Sequence, residues 1–359
     1  MKALITGGGR GTRLRPLTFT INKHLIPIAN KPMIFYAIEK MAAVGIREVG
    51  IIVNPGETEL REALGRGEQW GVELTYLEQH GGALGLAHAL GTGRDFIGDE
   101  PCIFYLGDNL LVEGLGNIVK EFTSSGVHCH FNFVKVKDPQ RFGVPEFASD
   151  GTLRRIIEKP ENPASDLAQA GIYLYRPDVW PVLDDLRPSR RGEYEISDFN
   201  TMLIERGFKA GYSVITGWWK DTGLPQDLLE GNQLVMSDPA AFVSEILGQV
   251  DNQATVQGRV RIGTGSYIKG TSFVRGPVLI GENSVIEDSY IGPFTAIGDN
   301  VQTKGAELDH SIVLNDARIE TPVRIVDSIL GRNCILQSHQ ATRPSGHKLV
   351  VGDYSSVEL

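Results

Sequence analysis

The chain has 359 residues, 41% of them hydrophobic and 22% charged, with 35 basic and 44 acidic side chains and a formal net charge of -9. That length suits two domains or one large one with a sizeable core, and the acidic balance argues against a general nucleic-acid binder while leaving room for a local basic site that takes phosphorylated small molecules. No apolar run reaches about 18 residues, so no membrane span is expected. The three scattered cysteines, Cys102, Cys129 and Cys334, with no secretory leader pattern, point to a reducing, cytoplasmic setting.

The first six residues, Met1-Lys2-Ala3-Leu4-Ile5-Thr6, read as a short buried strand that runs into Gly7-Gly8-Gly9-Arg10-Gly11. So many glycines let the backbone turn sharply and approach a ligand closely, and the unobstructed N–H groups of such a turn make an anion-binding concavity. Arg10, Arg13 and Arg15 add cations to the same loop. The pattern is neither of the two common phosphate fingerprints: no Lys-Ser/Thr follows Gly11, and position 12 is Thr where a dinucleotide fold needs a third glycine.

Further along, periodicity predicts a helix over 34–44, stopped by Gly45, a strand over 46–53, a helix over 57–65, a strand over 72–77, a helix over 84–91 and an apolar strand over 102–106. Such alternation suits parallel β-α-β units, whose ligands lie beyond the carboxyl ends of the strands. The loops to watch are therefore 7–15, 79–85 and 107–109. From residue 131 the pattern is mixed, with strands over 131–136, 153–158 and 171–175 and helices around 196–205 and 227–236. The domain boundary falls between about 236 and 252, where Ser237-Asp238-Pro239 breaks the last helix.

Beyond it Val256, Ile262, Ile268, Val274, Ile280 and Ile286 recur every six residues, Ile291 and Ile297 follow after one shortened step, and the pairs Ile319/Ile325 and Ile329/Ile335 repeat the spacing. Neither a helix nor a lone strand has that period. A parallel β-helix does, its coils stacking the aliphatics inward.

Several residues carry chemistry. Asp108 follows a strand and a glycine, and Asp221 precedes a glycine in Trp218-Trp219-Lys220-Asp221-Thr222-Gly223. Each alone suits a turn or a helix cap; together they suit a shared Mg²⁺, a hard ion that takes carboxylates and phosphate oxygens. Glu158-Lys159-Pro160 reads either as a surface turn or as a phosphate-binding Lys beside a hydroxyl-binding Glu. Lys23 precedes Leu25-Ile26-Pro27-Ile28, a setting that demands an anionic partner, either a carboxylate or a ligand phosphate. His128-Cys129-His130 places two His on one strand face with no third zinc ligand nearby. In the tail, His310, His339 and His347 are the candidate bases if the β-helix is an acyltransferase; the other reading makes it an assembly module.

Taken together, GGRGTRLRP at 8–16, NKHLIPIANKPMI at 22–34, LGDN at 106–109, EKP at 158–160, RGEYEISDFN at 191–200 and WWKDTG at 218–223 resemble the nucleotidyltransferase family that makes nucleotide sugars. The resemblance covers about residues 1–235, and the tail resembles that of the long-form members found alongside deoxysugar pathways. It implies a Rossmann-like open mixed α/β sheet in a nucleotidyltransferase domain over 1–240, followed by a left-handed parallel β-helix over 250–359. The implied reaction is Mg²⁺-dependent transfer of a nucleotidyl group from dTTP to glucose 1-phosphate, with UTP or another hexose 1-phosphate as the alternative and a homo-oligomer as the implied assembly.

Carried over by position, the resemblance makes Arg13, Lys23, Asp108 and Asp221 catalytic, with the two aspartates holding the metal. It gives Gly7, Gly8, Gly11, Thr12, Arg13, Gln79, Gly85 and Asp108 to the nucleotide, and Gly143, Glu158, Lys159, Gly171 and Arg191 to the sugar phosphate. Three departures bear on base and sugar choice. The usual Lys-Gln-Leu-Leu-Pro is Lys23-His24-Leu25-Ile26-Pro27, the usual Tyr-Gly is Phe142-Gly143, and the 79–85 loop is one residue longer than the common form.

Overall fold

The structure, a computed structural model, describes residues 1–338 and 351–358. These fall into two compact units that interleave along the chain. The first takes Met1–Arg10, Asn22–Leu25 and Met33–Asp221, and the second takes Gly11–Ile21, Ile26–Pro32 and the chain from Thr222 onward.

In chain order the first unit contains β1 (Lys2–Thr6), α1 (Met33–Ala43), β2 (Glu48–Val53), α2 (Glu59–Leu64), β3 (Glu73–Glu78), α3 (Leu86–Thr92), β4 (Cys102–Leu106), β5 (Asn109–Leu111), α4 (Gly116–Ser125) and β6 (Cys129–Lys135). It continues with β7 (Gly143–Phe147), β8 (Leu153–Glu158), β9 (Leu167–Tyr175), α5 (Ile196–Glu205), β10 (Ala210–Ile215) and β11 (Trp219–Asp221). Seven strands make one Rossmann-like open sheet in the order β10-β6-β9-β4-β1-β2-β3. β4, β1, β2 and β3 are mutually parallel, whereas β9 runs antiparallel to both β4 and β6.

The middle of this sheet is covered on both faces, and its strands are accordingly almost wholly apolar. Ala3, Leu4, Ile5, Ile103 and Phe104 have no exposed surface. Aromatic rings from β6 and β9 and from α5 fill the rest, and the hydroxyl of buried Tyr175 donates to Asn200 Oδ1 at 2.7 Å, so the ring brings no orphan donor into the core. α1 ends where Gly45 takes φ +81°; Gly45 N–H donates to Ala42 O at 3.1 Å and Ile46 N–H to Met41 O at 3.0 Å, the paired bonds of a Schellman closure.

The second unit contains α6 (Pro225–Ser237) and a left-handed parallel β-helix built from three sheets of short strands. Along one wall Val256, Val274, Ile291, Leu308 and Ile325 stack in register, along the next Ile262, Ile280, Ile297, Val313 and Leu330, and along the third Ile268, Ile286, Thr303, Ile319 and Leu336. A buried serine at a corner replaces backbone pairing between coils: Ser284 Oγ donates to Gly298 O at 2.9 Å while it accepts from Val301 N–H at 2.9 Å. The expected pair Ile329/Ile335 is off by one. Leu330 and Leu336 pack on the core and Ile335 is exposed, because each position has an aliphatic neighbour and strand alternation picks the inward one. α6 and the Ile26–Pro32 segment pack on the same β-helix. Asn232 accepts from Ala29 N–H at 2.9 Å and donates to Phe294 O at 2.8 Å, beside an apolar cluster of Met236, Phe242, Leu279 and Ala296.

Among the described residues no helix is long and apolar enough to cross a membrane. Truncating Ile280, which is 1% exposed in the middle of its stack, is expected to destabilise the protein by about 2–5 kcal/mol, whereas Val243→Ala, at a 66% exposed position, costs far less; denaturant unfolding followed by circular dichroism measures both.

Candidate active site

The site is built at the carboxyl edge of β1 and β4. β4 ends at Leu106, Gly107 turns the chain, and β5 starts at Asn109, so that Asp108 sits in the turn. Only glycine fits at 107: a Cβ there would lie 2.2 Å from Thr6 O. Its N–H donates to Thr6 Oγ1 at 3.0 Å, which ties the turn to the end of β1. β5 pairs antiparallel with β11, and the register sets Asp221 opposite Asn109. Two aspartates 113 positions apart in sequence are thereby brought to one spot. The Asn109 side-chain amide donates to Asp108 Oδ1 at 2.9 Å and reaches Asp221 Oδ1 at 3.5 Å.

Lys23 closes the group, its ammonium donating to Asp108 Oδ2. The anionic partner that its apolar surroundings demand is thus a protein carboxylate. Asn22 fixes the turn that carries it, donating to Gly7 O at 3.3 Å and to Glu57 Oε2 at 3.1 Å. Burial pushes the Asp108 carboxyl up, but the charges of Lys23 and His24 and the hydrogen bonds from Lys23 and Asn109 outweigh it, and the group is held well below the usual carboxylate range. His24 is fully buried beside this pair. Burial, with Lys23, outweighs the pull of Asp108 and lowers its imidazole from 6.5 to about 4, so it is neutral near pH 7.

The glycine turn presents donors. Gly7 N–H is spent on Ile52 O at 2.7 Å, but the N–H groups of Gly8, Gly9 and Arg10 find no acceptor among the described residues. Gly11 has φ +53° and starts the short 3-10 turn Thr12–Leu14 in the second unit, where Thr12 and Arg13 are exposed. Arg15 behaves differently from its neighbours: its guanidinium lies between the Phe19 and Tyr354 rings, 5.0 and 5.3 Å from their centroids.

Two further groups of expected residues lie on the first unit. Gln79 is buried and donates to His88 Nδ1 at 2.8 Å, while Gly85 (φ +107°) packs so closely on Tyr194 that a Cβ would stand 2.5 Å from Tyr194 O. Between them, 80–83 is exposed. Gly143 pairs with Glu158 across β7 and β8. Glu158 has Lys159 Nζ at 3.5 Å and Arg191 at 3.6 Å and accepts from Ser197 Oγ at 2.7 Å. Gly171 interrupts β9 with φ +67°, and a Cβ on it would lie 2.8 Å from Asn109 Oδ1, so this glycine lets β9 close against Asn109, the neighbour of Asp108. Lys23, Asp108 and Asp221 are therefore one group, and Gly143, Glu158, Lys159 and Arg191 a second, with Gly171 touching the neighbour of Asp108.

Among the described residues no three or more His, Cys, Asp and Glu side chains gather as a metal set. The donor set at Asp108 and Asp221 is nevertheless that of a hard cation completed by phosphate oxygens and water, which needs only one or two carboxylates. His128 and His130 serve other partners, Asp178 at 3.3 Å and Ser213 at 2.8 Å. His310 Nδ1 lies 2.5 Å from Asp327, and its Nε2 is buried and so presents no accessible base; His339 and His347 lie outside the described residues. The cysteines are unpaired, and burial pushes the Cys102 and Cys129 thiols up to about 12.

A profile described as nucleotidyl transferase matches residues 2–238. The chain belongs to the nucleotidyl transferase family. It is 41% identical over 361 residues to a low-salt glycan biosynthesis nucleotidyltransferase of Haloferax volcanii, covering all of both chains, and 42% identical over 361 residues to a glucose-1-phosphate thymidylyltransferase of Streptomyces antibioticus, covering all of this chain and 99% of that one. A solved Bacillus anthracis protein described as a putative glucose-1-phosphate thymidylyltransferase, in complex with sucrose, is 38% identical with a TM-score of 0.61, over 65% of this chain and 94% of that one. Nucleotidyltransferases of this family typically use a divalent metal.

Sequence reasoning passed over Asn109, Gln169 and Ser197. Asn109 and Ser197 sit inside the LGDN and RGEYEISDFN motifs, so the signal was present; Gln169, in an ordinary apolar run, had none. Because His24 takes up protons far more readily unfolded than folded, stability contributed by its burial as a neutral ring is present above pH 6.5 and is lost as pH falls toward 4, by about 3 kcal/mol at most. Urea unfolding at several pH values is expected to show that loss, and His24→Gln is expected to flatten it; an identical slope in the variant rejects the assignment.

Proposed function

We propose that this nucleotidyltransferase is a glucose-1-phosphate thymidylyltransferase: with Mg²⁺ it converts dTTP and glucose 1-phosphate into dTDP-glucose and pyrophosphate. The observation that carries the reading is the convergence of Lys23, Asp108 and Asp221 at the carboxyl edge of the parallel strands, in a chain that matches relatives of that name over their full length.

A phosphate oxygen of the sugar phosphate forms a new bond to the α-phosphorus, and the bond from that phosphorus to the bridging oxygen breaks, the electron pair leaving with pyrophosphate. The attacking oxygen is already anionic, so no strong general base is required; the barrier lies in bringing two anions together in line. Asp108 and Asp221 would hold the Mg²⁺, which would supply positive charge to the triphosphate when bound. Lys23, paired with Asp108, faces the α-phosphate and the departing charge, and the N–H groups of Gly8, Gly9 and Arg10 face phosphate oxygens. Gly7, Gly11, Thr12 and Arg13 remain with the nucleotide on chain continuity with that turn, and Gln79 and Gly85 with the base. Lys159 and Arg191 hold the sugar phosphate, and Glu158, Gly143 and Gly171 border the hexose. The β-helix serves assembly into a homo-oligomer, for which the exposed Val243, Ile246 and Leu247 on its first coil offer apolar surface.

Lys23→Ala and Asp221→Asn are each expected to lower kcat by about 10²-fold or more with the circular dichroism spectrum unchanged, read by pyrophosphate release; full turnover in either rejects the site. Chelation is expected to stop the reaction and Mg²⁺ to restore it. A panel of dTTP and UTP against glucose, galactose and glucosamine 1-phosphates tests the substrate assignment, since one methyl group on the base is worth only about 1–3 kcal/mol.

A further inference from the structure

Gln169 on β9 is 5% exposed, and its amide has an unmet hydrogen-bonding atom. One end of the amide meets Ser197 Oγ at 2.9 Å, and the same hydroxyl reaches Glu158 Oε2 at 2.7 Å. A serine hydroxyl has a single hydrogen. The Glu158 carboxylate, flanked by Lys159 and Arg191, only accepts; with the amide turned over it takes that hydrogen, and the Gln169 end facing Ser197 is the nitrogen, donating to the hydroxyl oxygen. As the amide is placed, its nitrogen is the buried atom without a partner among the described residues, and an unmade hydrogen bond in the interior is costly enough that natural folds rarely keep one without a use.

The surroundings say what the use is. Gly143 leaves the space that Gln169 and Ser197 occupy, since a Cβ there would stand 2.5 Å from Gln169 Oε1 and 2.4 Å from Ser197 Oγ. Two residues on, Gly171 brings β9 against Asn109, beside Asp108. Gln169 thus lies on β9 between the Glu158, Lys159 and Arg191 group and the Gly171 contact with Asn109. A ligand hydroxyl both donates and accepts, so it completes the amide in either orientation, which neither an ammonium nor a carboxylate does.

We propose that Gln169 is a specificity-determining residue that reads one hydroxyl of the hexose 1-phosphate. This rests on the reaction proposed above. The test is steady-state pyrophosphate release by the full-length protein, with dTTP and glucose 1-phosphate or its 2-, 3-, 4- and 6-deoxy analogues, for wild type and Gln169→Leu. In wild type one deoxy analogue is expected to lose at least about 10-fold in kcat/KM. Gln169→Leu is expected to lose a similar factor on glucose 1-phosphate, to keep the KM for dTTP, and to treat that one analogue and the parent sugar alike. Continued discrimination in a folded Gln169→Leu overturns the role of Gln169 alone. So does a wild type indifferent to every deoxy analogue, an outcome that needs no variant to fold. No pyrophosphate from wild type with any hexose 1-phosphate overturns the reaction as well.

Discussion

Everything at the site hangs on one ion pair, Lys23 with Asp108, held where two short strands, β5 and β11, cross-pair. A lysine in apolar surroundings is affordable only beside an anion, and a buried carboxylate only beside cations and donors. Each group therefore fixes the other. Asn109 extends the arrangement to Asp221, and Thr6 and Gly107 anchor it to the sheet, so the position of the carboxylates follows from backbone pairing and does not depend on a flexible loop.

That dependence explains which parts could be read from sequence. Where a segment is buried on both faces, its composition alone marks it, as in Cys102–Leu106, which was expected with the same bounds. The helix Ile196–Glu205 was equally legible from its apolar spacing. The aspartates and their meeting at a shared metal are legible as residues and motifs, but the strand pair that brings them together is not, because Asn109–Leu111 and Trp219–Asp221 are three residues each and too short for any period to show. β9 begins four residues before the expected strand; Leu167-Ala168-Gln169-Ala170 has no β-branched residue and takes its extended form from pairing with β6. α4 carries little apolar signal in the sequence, because few of its positions are apolar, with only Ile118 and Phe122 buried.

The β-helix was legible from its period as far as Ile297, and then less so. Further steps of five residues follow at Leu308, Val313 and Leu330, and the in-phase position 303 holds a threonine whose hydroxyl donates to Ser289 Oγ at 3.2 Å. Stacking tolerates this because a coil needs its inward side chains aligned, and corners absorb a missing residue. For Lys23 the sequence left its partner open between a carboxylate and a ligand, and geometry decided in favour of Asp108. For His24, burial gives an uncharged ring beside the ion pair, so this residue adds no charge near pH 7.

The interleaving of the two units has an engineering corollary. Because Ile26–Pro32 and α6 pack with the β-helix through Ala29, Asn30 and Asn232, the tail is no cassette that can be exchanged at a single junction near residue 240. A chimera that borrows another protein's β-helix must therefore borrow those early residues too, more than two hundred residues upstream of the junction.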